Sequence, residues 1–315
     1  MLSGVNIHSI LTKLQRTGVT LGSVCQVNQG IVSGCDKVSK KHTLDVDFPS
    51  ESIGDGIFVL NVKHPNDVQQ INQFNVSEQL LLKPFYKNSD IKRFISSSTP
   101  YRYIIYTMDD INHERYPNVH KHLLRFKSIL EKRLDTYQES YNWTCLHRAR
   151  EMGIFTSPKI VVPQRSRRNT FAYNEDEWFS SADCYFITKA NYNISLKYVL
   201  ALLNSKVYYI WLYHKGKRKG ELLELYAKPL SEIPIKLISP EDQELFIELV
   251  DEIILSKQDD SSADTSSLEN EIDQLVYKLY DFSQEEIDFV ENEYQQKIAI
   301  SMNDSIIADS TEEDL

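Results

Sequence analysis

Several features that mark common enzyme classes are missing from this sequence. It has no glycine-rich phosphate loop of the GxxxxGK[ST] or GxGxxG type, and no HExxH or GxSxG motif. Carboxylates are numerous, but none stands in a spacing that marks a general acid or base. The sequence therefore predicts no catalytic residue and gives no positive sign that the chain is a complete enzyme.

Cysteine is scarce and is placed unfavourably for metal binding. The chain has 4 cysteines, which are Cys25, Cys35, Cys145 and Cys184. They form no CxxC pair, and no histidine pair accompanies them at zinc spacing. We therefore expect reduced thiols, no metal site and a cytoplasmic protein.

Long hydrophobic runs are also absent. The most apolar stretch, YVLALLNSKVYYIWLY at 198–213, is interrupted by Asn204, Ser205 and Lys206. It is too short and too polar to cross a hydrocarbon core of ~30 Å. The stretch 195–213 instead predicts a buried helix of a globular protein.

Positive charge is almost missing from the last quarter of the chain. Residues 241–315 hold 3 of the 35 basic residues and have a net charge of −20, whereas residues 1–240 have a net charge of +10. A basic body can neutralise phosphates, while an acidic segment cannot lie on them. The division predicts two surfaces with different partners.

The pattern along the chain predicts an α+β fold, with a mixed, β-rich body followed by a helical C-terminal arm. Short β-branched and aromatic runs alternate with two helical stretches, at 118–134 and 195–213. The aromatic load, 18 Tyr and 13 Phe, suits a β-rich body and a stacking surface equally well. We divide the chain into a lead-in helix at 1–20, a body at 21–238, a helical arm at 239–300 and a disordered acidic tail at 301–315.

The helical arm begins with a clear start signal. Ser239-Pro240-Glu241-Asp242 combines a cap residue, a proline at the first helical position and acids in the first turn. A polar linker at 258–267 follows, and Ser283 with Glu286 predicts a capping box for a later helix. The apolar faces of these helices fit two interpretations equally well, which are packing on the chain's own body and docking on a partner protein.

Basic residues of the body are clustered, and one cluster, which holds Arg165, Arg167 and Arg168, directly follows a predicted strand. Loops at strand ends project from a rigid scaffold, and arginine and lysine suit phosphates and guanine edges. A solvated surface patch is the alternative for any single cluster. The predicted DNA-contacting residues are Lys92, Arg93, Arg148, Arg150, Arg165, Arg167, Arg168, Lys217, Arg218 and Lys219.

Two segments, LGSVCQVNQGIVSGCDKV at 21–38 and LLKPFYKNSDIKRF at 81–94, stand out as motifs. With several later segments they resemble the TaqI-like C-terminal specificity domain of adenine-N6 DNA methyltransferases and type IIG restriction–modification enzymes. LGSVCQVNQGIVSGCDKV at 21–38 is similar to its GI-x-TG-x-DKVF opening, with Ser33 for Thr and Ser39 for Phe. LLKPFYKNSDIKRF at 81–94 is similar to its KPF-x-x-G-x-DIKRY segment, with Asn88 for Gly. Further similar segments are 117–133, Trp143 with LHRAR, 158–173, 198–213, 222–235 and the C-terminal helices.

The resemblance implies sequence-specific binding of duplex DNA, with a target adenine presented to a methyltransferase domain or subunit. Those enzymes carry an Asn-Pro-Pro-Tyr/Phe motif and an S-adenosylmethionine loop in a separate catalytic domain. This chain contains no Asn-Pro-Pro. We therefore expect a split-gene specificity subunit or a piece of a longer enzyme, whose S-adenosylmethionine lies on the catalytic partner. The apolar faces of the helical arm leave dimerisation through this arm open as well.

Two functions of other classes stay open at this point. The chain could be a self-contained DNA methyltransferase or nuclease with an unrecognised site. It could instead be an adaptor whose basic surface binds an acidic protein. Steeply salt-dependent DNA binding with a recoverable sequence motif separates DNA recognition from the adaptor.

Overall fold

The structure is a computed structural model that describes residues 5–137, 141–189 and 193–312. Within these ranges the protein combines several small β-sheets with a cluster of C-terminal helices, which confirms the predicted α+β class.

The strands are short and mostly antiparallel. They are β1 (Val19–Thr20), β2 (Cys25–Gln29), β3 (Val59–Asn61), β4 (Leu82–Tyr86), β5 (Arg102–Ile105), β6 (Lys159–Pro163), β7 (Arg165–Ser166), β8 (Ala172–Asn174), β9 (Phe179–Ser180), β10 (Cys184–Lys189), β11 (Lys217–Lys219), β12 (Leu222–Glu224) and β13 (Pro234–Ile235). They form sheets ordered β2-β10-β6-β8, β3-β5-β4-β9, β11-β12-β7 and β1-β13.

The helices are distributed along the chain, and the three longest are the last three. They are α1 (Ile7–Thr17), α2 (Leu21–Val24), α3 (Lys40–Asp45), α4 (Pro65–Ile71), α5 (Val76–Gln79), α6 (Pro117–Leu124), α7 (Lys127–Tyr137), α8 (Gly153–Thr156), α9 (Leu196–Asn204), α10 (Lys206–Lys215), α11 (Ala227–Ser231), α12 (Pro240–Asp259), α13 (Ser266–Leu279) and α14 (Gln284–Glu312). Short 3-10 turns occupy Ser50–Ser52 and Asn88–Asp90.

The central sheet β2-β10-β6-β8 has a hydrophobic core on each face. Because side chains alternate along a strand, Ile160 and Val162 of β6 enter one core while Val161 enters the other. β10 divides its side chains in the same way, with Ile187 on one face and Phe186 on the opposite face. This explains why both strands read as nearly continuous apolar runs instead of alternating ones.

The first core, which we call the helical core, joins the body to the C-terminal helices. Tyr198, Tyr208, Val250, Val276 and Val290 are buried together in it. Of the two interpretations left open by the sequence, the structure therefore shows packing on the chain's own body. The boundary at 238/239 separates no independent hydrophobic core, and as a domain division it stays a prediction.

The second core, the mixed core, gathers residues between Ile31 and Phe155 under the opposite face of the central sheet. The sheet β3-β5-β4-β9 contributes to it, and the parallel pair β4–β9 connects it to the central sheet through the segment before β10. Ile31 after β2 and Phe155 before β6 are both buried in this mixed core.

Two predicted helices are each split in the structure. The stretch 195–213 becomes α9 and α10, because the Ser205 side chain caps a new helix while Asn204 accepts from and donates to the backbone of Phe171. The stretch 118–134 likewise becomes α6 and α7. The start of α12 at Ser239 and the Ser283–Glu286 capping box are confirmed.

Two other predictions differ from the structure. The basic segment at 215–220 is not only a loop, because Lys217–Lys219 pairs with β12 as an edge strand. The tail predicted to be disordered from 301 instead continues α14 to Glu312, and Ser301 is fully buried. Residues 313–315 lie outside the described residues.

The four cysteines are free thiols, and Cys25, Cys35 and Cys184 are buried. In the part of the chain that the structure describes, no three metal-ligating side chains come together. Nor does any described helix combine the length and apolarity that a membrane span requires.

Candidate nucleic-acid interface

The small sheet β11-β12-β7 brings together basic residues that lie far apart in sequence. Its register places Lys217 opposite Glu224 and Glu224 opposite Arg165, so that the three side chains form one row across the sheet. Arg165 Nε lies 3.2 Å from Glu224 Oε1, and Lys217 Nζ lies 3.0 Å from Glu224 Oε2. Two cations share one carboxylate, so the row keeps a net positive charge.

The shared carboxylate organises this row. Hydrogen bonds from Lys217, Tyr226 and Arg165 hold the pKa of Glu224 below its usual range, so it stays ionised. Tyr226 donates to Glu224 at 3.0 Å and accepts from Arg165 at 2.9 Å. The arginine fork is therefore held by an anion and a phenol oxygen while most of its edge faces solvent.

Two tyrosines connect this row to the end of strand β2. The rings of Tyr185 and Tyr226 meet edge to face, with centroids 6.1 Å apart. Tyr185 pairs with Gln29 in the β2–β10 register. Burial raises the pKa of Tyr185, so it stays a neutral phenol that can accept or donate a hydrogen bond.

Arg150 lies at the other end of this connection. Its Nη2 donates to Gln29 Oε1 and its Nε donates to the carbonyl of Gly30, both at 3.3 Å. No carboxylate pairs with it among the described residues. Burial and the nearby Arg148 lower the pKa of Arg150, although a guanidinium stays charged at neutral pH.

Arg148 is exposed, and its backbone forms an isolated antiparallel β-bridge with Val32 in the loop that follows β2. Its backbone exchanges two hydrogen bonds with Val32, at 2.8 and 3.1 Å. The side chain is free of ion pairs within the described residues. Arg148, Arg150, Arg165 and Lys217 therefore lie along one connected surface, which we call the arginine–tyrosine face together with Gln29, Tyr185 and Tyr226.

The loop under Arg148 is held by a buried arginine that sequence analysis missed. Arg133 is only 4% exposed, and it donates to the carbonyls of Ser33, Trp143 and Cys145 at 2.6, 3.0 and 2.8 Å. Gly34 packs on it with a φ of 82°, a left-handed conformation that favours glycine. Arg133 thus fixes the geometry of the loop instead of facing solvent.

Arg93 is held inside the fold by an ion pair and by hydrogen bonds. Its side chain is buried under α13, where Nη2 lies 2.5 Å from Glu269 Oε2. It also donates to the carbonyls of Asn169 and Asn204 at 2.8 and 2.9 Å. The DNA contact expected of Arg93 stays a prediction, and its guanidinium already has a carboxylate partner on α13, a helix far along the sequence.

Arg167 and Arg168 contact the C-terminal helices α14 and α13, respectively. Arg167 donates to the carbonyl of Ser301 at 2.8 Å, and Arg168 lies 3.5 Å from Glu269. We call Arg93, Arg168 and Glu269 the acidic clasp. Arg167 and Arg168 keep partial exposure, so their role in DNA binding stays a prediction.

The three predicted residues that remain, Lys92, Arg218 and Lys219, are exposed. Arg218 lies on the opposite face of the small sheet from Lys217, over the ring of Tyr213 at 4.0 Å. Lys219 projects from the same side as Lys217, and Lys92 is exposed beside Arg93. Of the ten predicted residues, four therefore lie on the arginine–tyrosine face, three contact the C-terminal helices (Arg93, Arg167 and Arg168) and three are exposed elsewhere (Lys92, Arg218 and Lys219).

Comparisons with known proteins show which proteins this chain is similar to. Residues 83–235 match the family described as the TaqI-like C-terminal specificity domain. The chain is 27% identical over 267 residues to the type II methyltransferase M.MjaIV of Methanocaldococcus jannaschii, covering 82% of this chain and 80% of that protein. It is 28% identical over 232 residues to the type II methyltransferase M.HindII of Haemophilus influenzae, covering 69% of this chain but 38% of that protein.

A solved structure shares the fold. The type IIL restriction–modification enzyme MmeI in complex with DNA superposes with a TM-score of 0.58 at 16% identity, covering 89% of this chain and 36% of that one. The chain thus spans well under half of MmeI and of the Haemophilus relative. The predicted resemblance to a specificity domain is confirmed.

Proposed function

We infer that this chain, which carries a TaqI-like C-terminal specificity domain at 83–235, recognises a DNA target sequence within a methyltransferase or restriction–modification system. The carrying observation is that the four cations of the arginine–tyrosine face fall within that range and share one surface. They come from three separate stretches of the chain and are connected through Tyr185, which is buried, and Tyr226, which is partly buried.

The physical chemistry of this surface suits duplex DNA. Lysine and arginine on the face neutralise phosphates and release counterions, which supplies affinity and orientation without sequence information. Side chains held by a rigid scaffold can then read base edges in a groove.

The methyl transfer itself is assigned to a partner domain or subunit. The relatives named methyltransferases and the resemblance to adenine-N6 enzymes support adenine as the modified base. An Asn-Pro-Pro motif is missing from this chain, so we place S-adenosylmethionine and the flipped base on the partner. On this proposal the chain contributes no catalytic residue.

The solvent side of α12 is our proposed dock for that partner. Leu245 and Leu255 are 50% and 63% exposed on one side of the helix, beside Glu248 and Glu252. Such a surface offers apolar contact and attraction to a basic protein. Dimerisation through the same helices stays a prediction, which sedimentation of the purified chain tests.

Salt titration of DNA binding tests the recognition function. The affinity of the full chain for duplex DNA should fall linearly with salt on logarithmic axes, and Arg148→Ala should reduce the slope by about 0.9. The matched control is Lys278→Ala, an exposed lysine on α13, which should leave affinity and slope unchanged. Binding that is weak, and no more affected by Arg148→Ala than by Lys278→Ala, would instead favour an adaptor.

Heat of binding on titration with S-adenosylmethionine tests the remaining alternative. A recognition unit without the catalytic domain should give none. A measurable heat with this chain alone would favour a self-contained methyltransferase and remove the need for a partner.

A further inference from the structure

Arg150 differs from the other cations of the arginine–tyrosine face in how firmly it is placed. Its φ is 67°, in the left-handed region that non-glycine residues rarely occupy. A non-glycine residue keeps such a backbone conformation only where its surroundings impose it. This kind of strain is concentrated at functional positions. The buried Tyr106 hydroxyl fixes the position by donating to the Arg150 carbonyl at 2.7 Å.

The strand end beneath the guanidinium is equally rigid. Gly30 donates its N–H to the carbonyl of Cys184 at 3.0 Å, and the Ile31 N–H donates to the carbonyl of Ser180 at 2.8 Å. A Cβ on Gly30 would lie 2.3 Å from the Ser181 oxygen, so backbone packs against backbone here. The acceptors that orient Arg150 therefore cannot shift easily.

The orientation leaves one side of the guanidinium available. Nε and Nη2 each use one hydrogen on neutral acceptors at 3.3 Å. Nη1 has no partner among the described residues, and the second hydrogen of Nη2 is also unused. Two parallel donors on a fixed fork match the O6 and N7 acceptors of guanine in the major groove.

We propose that Arg150 is a specificity-determining residue that reads a guanine of the target, while Arg148 contacts phosphate. This inference rests on the proposed DNA-recognition function. A carboxylate partner would compete with the base, and neither residue has one among those described. The exposed Arg148 side chain has no oriented fork, so its contribution is charge without sequence information.

Selection from a random duplex library by the full chain, followed by sequencing, separates the two roles. Arg150→Lys keeps the charge but loses the fork, and Arg150→Gly suits the backbone conformation while removing the side chain. Both variants should lose the preference for guanine at one position by about 5- to 150-fold, with the rest of the motif retained. Arg148→Ala should keep the whole motif and weaken all sequences alike.

The outcomes that overturn the inference are distinct from those that overturn the proposed function. A complete motif with both Arg150 variants, or a uniform loss of affinity that leaves the guanine preference unchanged, would show that Arg150 does not read a base. Urea unfolding of each variant shows whether it is folded, and Arg150→Gly should remain so. The absence of any motif with the unsubstituted chain would instead contradict DNA target recognition itself.

Discussion

Replacing Arg93 with alanine should destabilise the fold far more than replacing its exposed neighbour. Arg93 and Glu269 are 12% and 19% exposed at their side chains, and they meet at 2.5 Å. Removing one partner of a buried ion pair costs about 3–5 kcal/mol, because the other charge is left uncompensated. Arg168 remains 3.5 Å from Glu269 and retains part of the attraction. We therefore expect Arg93→Ala to lower the free energy of unfolding by about 3 kcal/mol.

Urea denaturation followed by tyrosine and tryptophan fluorescence measures this difference. Lys92→Ala is the matched control, since Lys92 is exposed and has no ion pair among the described residues; its free energy of unfolding should change by no more than about 0.5 kcal/mol. Equal stabilities for the two variants would refute the acidic clasp as a structural element. If Arg93→Ala weakened DNA binding while unfolding at the unsubstituted midpoint, Arg93 would be a DNA contact after all.

Two further predictions concern the mixed core and the end of β2. Gly30→Ala places a Cβ 2.3 Å from the Ser181 oxygen and should cost at least about 2 kcal/mol of unfolding free energy, whereas Gly153→Ala, with nothing within 4 Å, should be nearly neutral in the same urea titration. Burial lowers the pKa of His122 to about 4, from 6.5 when unfolded. The neutral ring is thus favoured in the fold, and its stabilisation of about 3 kcal/mol is complete above pH 6.5 and lost as the pH falls to 4. His122→Leu should remove this part of the pH dependence, and an unchanged profile would contradict the assignment.

The elements that sequence predicted well are those with a local cause. Strands at 159–163 and 184–189 follow from runs of apolar residues, and the start of α12 follows from its cap, proline and acids. The split at Ser205 was missed because 195–213 was interpreted as one apolar helix, although the polar residues Asn204, Ser205 and Lys206 interrupt it where α9 ends and α10 begins. The hydrogen bonds of Asn204 to Phe171, which accompany the split, involve a residue distant in sequence.

The sequence showed which basic residues are candidates for the interface, but not which partners they have in the folded chain. Clustering of arginine and lysine made Arg148, Arg150, Arg165 and Lys217 candidates, because runs of basic residues are visible in a sequence, and their contact with DNA stays a prediction. No pattern shows that Glu269 lies on Arg93, since 176 residues separate them. The burial of Arg133 depends in the same way on carbonyls supplied by the folded loop.

Tyr185, Tyr226 and Gln29 were missed for a related reason. Each looks like an ordinary strand or loop residue, and their importance arises from the register that aligns β2, β10 and β12 with their neighbours. The only available signal was the high tyrosine content, which fitted a β-rich body as well as a binding surface. The strained φ of Arg150 has no counterpart in the sequence at all.

Hydrogen–deuterium exchange of the full chain, with and without a duplex selected from the random library, tests the central claim most directly. DNA should slow exchange in the segments 148–150, 164–166 and 217–226, which carry the arginine–tyrosine face, and should leave α12 unchanged. Protection confined to α12 or to other C-terminal helices, with no slowing in those three segments, would contradict the account.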